Sequence, residues 1–282
     1  MLKADLHIHT VHSDGLMTPR QVLEEALSKN LAAIAITDHD AIEGVKPAIE
    51  AAAGHNIEVV PGVELSAYLG ENSVHVIGLF IDIENARLRE HLAFFKDQRY
   101  LRGEKIINKL NKLGVPIKME DILSVSGEAS LGRPHIADAM LKIGAVATFD
   151  DAFKYYLRRD KPAYVPKYQI APSQAAEIIH DSSGVAILAH PGIGIEDDRR
   201  LLEIMAMGMD GLEIAHPKHS SSQESHFRDL ALRNGWLISG GSDSHGNRRN
   251  TPSVGDCWVN SDNVSLIHKF RNSRLNKLSL KI

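Results

Sequence analysis

Several apolar, strand-like runs of this chain stop at or beside an imidazole or a carboxylate, and any fold it adopts must say where those stops meet. The opening run Asp5-Leu6-His7-Ile8-His9-Thr10 is β-compatible. A strand period of two places His7 and His9 on one side, so both can reach one ion. The run 32–36 ends in Thr37-Asp38-His39-Asp40, and 57–60 ends in Pro61-Gly62-Val63-Glu64. His75 falls in the run 73–78, His190 closes 185–189, and Asp243 and His245 follow 237–240. Asp14 stands just behind the first run. A single buried histidine is often structural. Six histidines and three carboxylates repeating one position point to a multinuclear metal centre with hydrolytic chemistry.

The intervening sequence is helical in pattern. Thr18-Pro19-Arg20 offers a capping residue followed by proline at the first helical position, and Val22, Leu23, Ala26 and Leu27 form a core-facing stripe. A second helix is expected near residues 44–51. This alternation calls for parallel strands joined by right-handed crossovers. With 211–215 included, seven strand candidates predict an irregular seven-stranded (β/α) barrel of the α/β class, its site at the C-terminal ends of the strands.

Between residues 87 and 168 the rhythm changes. Leu92, Phe95, Ile106, Ile107, Leu110 and Leu113 keep helical spacing, Gly114 ends that helix, and Ile136, Ala139, Met140 and Ile143 suggest another. We read 87–168 as a helical insertion over the barrel mouth, with Lys161-Pro162-Ala163-Tyr164-Val165-Pro166 as its return linker. Residues 1–86 and 169–282 then form the metal-binding barrel. The tail after Asn260, with Lys269, Arg271, Arg274, Lys277 and Lys281, is expected to be a solvated closing helix.

Composition narrows the function classes. No apolar run approaches the roughly 20 residues of a membrane helix. The first strand starts at once, which leaves no room for a cleavable signal and makes a cytoplasmic location the expectation. The one cysteine, Cys257, excludes an intrachain disulfide and a cysteine-rich zinc site; it reads as a small residue before Trp258. A formal net charge of −4 argues against a protein coating long nucleic acid, so a small or short phosphate ester fits better. No stable protein partner is predicted.

Asp5-Leu6-His7-Ile8-His9-Thr10 with Ser13-Asp14-Gly15, Thr37-Asp38-His39-Asp40, Pro61-Gly62-Val63-Glu64, Ala189-His190-Pro191 and Gly241-Ser242-Asp243-Ser244-His245 resemble the polymerase and histidinol phosphatase (PHP) family of metal-dependent phosphoesterases. Within it the chain looks most like the nucleoside 3′,5′-bisphosphate phosphatase branch, which includes enzymes trimming short RNA from its 5′ end. The resemblance implies three ligand sets: His7, His9, Glu64 and Asp243 for one ion, Glu64, His75 and His190 for a second, and Asp14, His39 and His245 for a third, with Glu64 bridging. Two or three divalent ions are expected. Nitrogen and carboxylate ligands without thiolate admit Mn²⁺, Zn²⁺ or Fe²⁺, Mn²⁺ being the first expectation. The implied nucleophile is a metal-bound hydroxide held by Glu64, Asp243 and His190. His216 and His219 are open candidates for a general acid.

The substrate handle should be cationic. Arg99 and Arg102 are three apart, hence on one helix face, and guanidinium forks bind phosphate in pairs. The turn Leu131-Gly132-Arg133-Pro134-His135 could present Arg133 and His135 beside backbone N–H groups. Two anchors suit a substrate with two phosphates: a nucleoside 3′,5′-bisphosphate, or a short 5′-phosphorylated RNA. Histidinol phosphate or another small phosphomonoester is the alternative substrate, and a non-catalytic metal-binding module the alternative of another class.

Overall fold

The structure, a computed structural model, describes residues 2–195, 197–246 and 251–279. Its first third alternates strand and helix: β1 (Lys3–Ile8), α1 (Pro19–Ser28), β2 (Leu31–Ile36), α2 (Val45–Ala51). Thr18 caps α1 as its sequence suggests: its side chain accepts the Gln21 N–H while Gln21 accepts the Thr18 N–H. Val22, Leu23 and Ala26 are buried against Ile8, Ile34 and Ile36. Full burial of each of the larger aliphatic side chains contributes roughly 1.5–3 kcal/mol.

The chain then forms a hairpin, β3 (Glu58–Leu69) and β4 (Asn72–Leu79), and returns to alternation after a long helical stretch. That second part holds α7 (Pro172–Asp181), β5 (Val185–Leu188), α8 (Asp198–Met205), β6 (Gly211–Ala215), α9 (Ser221–Asn234), β7 (Leu237–Gly240), β8 (Val259–Asn260) and α10 (Asp262–Ser279). The stretch between them is α3 (Ala86–Lys112), α4 (Met119–Ser126), α5 (Arg133–Lys142), α6 (Phe149–Ala152) and a π-helical turn (Phe153–Leu157).

The strands form one sheet in the order β7-β6-β5-β4-β3-β2-β1-β8. Beyond β7 the chain runs on beside β1: the Asp243 N–H donates to His7 C=O and the His9 N–H to Ser244 C=O, both at 2.9 Å. The barrel is therefore nearly closed. It has eight strands among the described residues rather than the seven expected, because the strand-like run at Trp258, which ends in the two-residue β8, is not among the seven candidates.

A second departure concerns direction. β1, β2 and β3 are parallel to one another, as are β5, β6 and β7, but β4 runs antiparallel to both β3 and β5. His75 consequently lies in the first half of its strand, fourth of eight residues, not at its end. An antiparallel strand starts at the face where its neighbours finish, so His75 still joins the others. Glu64 sits in the middle of the twelve-residue β3, which continues past it to pair with β4.

Side chains of β3 to β6 pack against the first half of α3 and against α7, α8 and α9, while the second half of α3 and α4 to α6 build a separate cluster around Leu110, Ile117, Ile122, Ile136 and Met140. The tail is less solvated than its charge suggests. Val264 and Ile267 of α10 are buried, Arg271 donates to Ser183 C=O, and Arg274 pairs with Asp210. Lys281 lies outside the described residues. Cys257 is free, and burial pushes its thiol up to about 12. No helix among the described residues is long and apolar enough to cross a membrane.

Candidate metal centre

All nine side chains predicted as ligands converge at one end of the barrel. Glu64 is the hub. Its Oε2 lies 3.4 Å from His7 Nε2, 3.2 Å from His9 Nε2 and 2.8 Å from His39 Nδ1. Its Oε1 lies 2.8 Å from His75 Nδ1 and 3.2 Å from His190 Nε2. Asp243 Oδ1 is 3.5 Å from His7 Nε2 and 3.2 Å from His9 Nε2, and His245 Nε2 is 3.3 Å from Asp14 Oδ1.

Three groups of donor atoms are close enough to hold an ion: His7, His9 and Asp243; His39, Glu64 and His75; and His9, Asp14, His39 and His245. These overlap the three expected sets but divide the residues differently: His9 and His39 each fall in two groups, Glu64 in one, and His190 in none, standing 3.2 Å from Glu64 Oε1.

The donor set fits divalent cations. Glu64 Oε2 and His39 Nδ1 are buried and within 2.8 Å of each other, yet neither makes a hydrogen bond among the described residues. His7 Nε2 and His9 Nε2 face each other at 3.1 Å. Buried nitrogen and carboxylate atoms packed this closely, with Glu64 Oε2 and His39 Nδ1 outside any hydrogen bond, are arranged around shared positive charge. Burial holds His75 and His39 below the usual imidazole range, the neutral form that ligates. Burial acts the same way on His9, but Asp243 and Glu64 outweigh it and push this imidazole well up. Carboxylates that draw protons onto neighbouring rings demand cations, and metal ions supply them.

The local backbone is shaped to deliver these groups. His190 and Asp243, and Asp40 beside His39, have positive φ values of 27°, 50° and 49°. Such positions are disfavoured for residues other than glycine and concentrate at functional sites. Gly241 has no alternative, because a Cβ there would run into the His7 backbone nitrogen and lie 2.6 Å from His7 Cβ.

Several supporting residues carry no signal of their own in the sequence. Glu213 of β6 accepts the His7 Nδ1–H at 3.0 Å and the His190 N–H at 2.7 Å, so one buried carboxylate orients two of the candidate ligands. Its only trace was an acid within an apolar strand. Asp38 accepts the Thr10 N–H and the Thr10 and Ser13 hydroxyls, fixing the loop that carries Asp14. Of the acid candidates, His219 uses both nitrogens internally, with Ile214 C=O and the Gly192 N–H. His216 is buried with Nε2 3.4 Å from Asp243 Oδ2.

A cleft of about 440 Å³ opens from this cluster. Asp14, His39 and His75 line it on the metal side, and Arg99, Arg102, Arg133 and Lys167 also line it. The arginines are not equivalent. Arg99 donates Nε and Nη2 to Asp40 Oδ2 and Nη1 to Leu131 C=O, so its fork is occupied. Burial works against the Asp40 charge, but Arg99, Lys167 and the Ser66 N–H hold its carboxyl below the usual range. Arg102 gives only Nε, to Val165 C=O, among the described residues. Arg133 donates Nη1 to Leu157 C=O and lies 5.8 Å and 5.7 Å from the ring centres of Phe153 and Tyr164.

His135 does not line the cleft. It is buried, and its Nδ1 accepts the Gly132 N–H. The structure gives it a helix-capping task in place of the phosphate contact its sequence suggested. With that N–H used and Pro134 lacking one, the start of α5 has few donors left for an anion.

An α/β barrel that gathers imidazoles and carboxylates at one end, opening on a cationic cleft, defines a metal-dependent phosphoesterase. The chain belongs to the PHP domain family, whose sequence profile matches residues 5–113. It is 34% identical over 247 residues to the 5′-3′ exoribonuclease Rnm of Salmonella typhimurium, covering 86% of this chain and 84% of that one. The 3′,5′-nucleoside bisphosphate phosphatase of Chromobacterium violaceum is 32% identical over 250 residues, 87% of this chain and 88% of the relative. A crystal structure from Bifidobacterium adolescentis, assigned as a metal-dependent phosphoesterase, superposes with a TM-score of 0.86 and 30% identity, covering 94% of each chain.

Proposed function

We propose that this enzyme removes the 3′-phosphate from nucleoside 3′,5′-bisphosphates, releasing a 5′-nucleotide and inorganic phosphate, and that the same cleft accepts the 5′-phosphorylated end of short RNA. One observation carries the reading: a single cleft has metal-ligating side chains and Arg102, Arg133 and Lys167 among its lining residues. One phosphate can meet the ions while a second is held by the cations. A bisphosphatase and exoribonucleases among the relatives support the same reading.

Two or three ions, Mn²⁺ first and Zn²⁺ or Fe²⁺ otherwise, would be held by His7, His9, Asp14, His39, Glu64, His75, His190, Asp243 and His245. Bound, they lower the pKa of water toward neutrality and polarise the phosphate. The chain's own residues do the rest. Glu213 fixes the ring of His7 and the backbone of His190, and Asp40 anchors Arg99 so that α3 stands over the ligands. In this reading the helices of residues 87–168 form a cap that brings Arg102 and Arg133 to the substrate.

The test is incubation of the Mn²⁺-loaded protein with adenosine 3′,5′-bisphosphate, followed by chromatography and phosphate assay. We expect 5′-AMP and phosphate in equal amounts; release of 3′-AMP, or no release, refutes the assignment. A 5′-phosphorylated oligoribonucleotide, shortened stepwise from its 5′ end, tests the second substrate.

A further inference from the structure

Lys167 has no part in the ligand set and stands just past the return linker, yet it reaches the inside of the cleft. Its Nζ donates to Ser66 Oγ at 2.9 Å. Ser66 lies on β3 two residues beyond Glu64, and its register partner on β4 is His75. The lysine is therefore tied to the strand pair that carries two ligands. It also lines a small cavity, with room for about one water, together with Asp40, Ser66, Arg99 and Arg102.

Its surroundings do not satisfy an ammonium. The nearby carboxylate, Asp40, is bonded to Arg99 on one oxygen and to the Ser66 N–H on the other. Burial lowers the Lys167 pKa to about 7, the charges of Arg99, Arg102 and Arg133 push the same way, and Asp40 opposes them. Among these neighbours cations outnumber the carboxylate, and a group so placed gains most from an added anion. Lys167 also acts electrostatically on His75, and both line the same cleft.

We infer that Lys167 is a specificity-determining residue that binds the uncleaved phosphate together with Arg102 and Arg133, and selects substrates carrying two phosphates. Three separate segments then build the anion site: α3 gives Arg102, the start of α5 gives Arg133, and the chain re-entering the barrel gives Lys167. The inference rests on the bisphosphate reading of the cleft. An ordinary surface lysine needs no such explanation, but this one enters the cleft with a neutral hydroxyl as its hydrogen-bond partner among the described residues.

The test compares the wild type, Lys167→Met and Lys167→Arg on adenosine 3′,5′-bisphosphate and on 3′-AMP. For Lys167→Met we expect KM for the bisphosphate to rise about tenfold or more. The kcat should change much less, and the preference for bisphosphate over 3′-AMP should collapse. Lys167→Arg should recover part of that preference, because it restores charge. On the folded wild type, mass spectrometry should show slow acylation of Lys167 by an amine reagent when 5′-AMP is bound and fast acylation when it is absent. An unchanged preference in Lys167→Met, an equal loss on both substrates, or acylation indifferent to 5′-AMP overturns the assignment while leaving the bisphosphate reading intact. A wild type that treats the two substrates alike removes the bisphosphate reading, and this assignment with it.

Discussion

Replacing Asp40 by Asn tests whether α3 is held against the barrel by one buried ion pair. Asp40 and Arg99 are each only 7% exposed, and the guanidinium bonds the carboxylate through two nitrogens. Removing one partner of such a pair leaves the other charge buried, at a cost of about 3–5 kcal/mol. At roughly 2–4 °C per kcal/mol for a chain of this size, the melting temperature should drop by about 6–20 °C. Arg99→Met should cost a similar amount, because Asp40 then keeps only Lys167 as a nearby cation and the Ser66 N–H as a donor. The double variant removes both charges, so its loss should fall short of the sum of the single losses by about 2–3 kcal/mol. The assay is urea denaturation of the metal-free protein at pH 7, which keeps ligand binding out of the comparison. A loss below about 1 kcal/mol for Asp40→Asn, the value of an exposed pair, or strictly additive losses, would refute the buried-pair reasoning.

Glu213→Gln removes the negative charge that orients His7 while keeping the size of the side chain, and metal affinity should fall about 10–100-fold. Competition with a chromophoric chelator measures this, and unchanged affinity would show that Glu213 has no part in holding the ligands. Lys167 predicts a pH dependence. Its folded pKa is lowered from 10.5 to about 7, so between those values the unfolded chain binds more protons. This group's penalty is full below pH 7 and is relieved as pH rises toward 10.5. Denaturation of the metal-free protein across that window should show Lys167→Met ahead of the wild type at pH 7 and the gap closing by pH 10; a constant gap contradicts a buried, depressed lysine.

The nine ligand candidates were legible because each belongs to a short segment whose own pattern announces it. A period-two run stops, and an imidazole or carboxylate stands at or near the stop, as at His39, His190 and Asp243. The capping of α1 by Thr18 and the end of α3 near Gly114 were equally local, written in residues within a few positions of one another. Such features need no knowledge of what packs against them.

What only the tertiary structure decided are relations between distant segments. Nothing local in the run around His75 gives the direction of β4, because alternation reads the same both ways along a strand; pairing with β3 and β5 fixes it. Asp40 lies beside the candidate ligand His39 in sequence, but its task depends on Arg99, fifty-nine residues away. Glu213 looks like one polar residue in an apolar strand until His7 arrives from the other end of the chain. His135 and Arg133 share one turn, yet one is drawn into capping and the other faces the cleft. Local sequence determines which groups a segment can offer, since periodicity and capping act over a few residues. Long-range packing determines which partner uses each group, because burial and charge pairing exist only once the barrel has nearly closed.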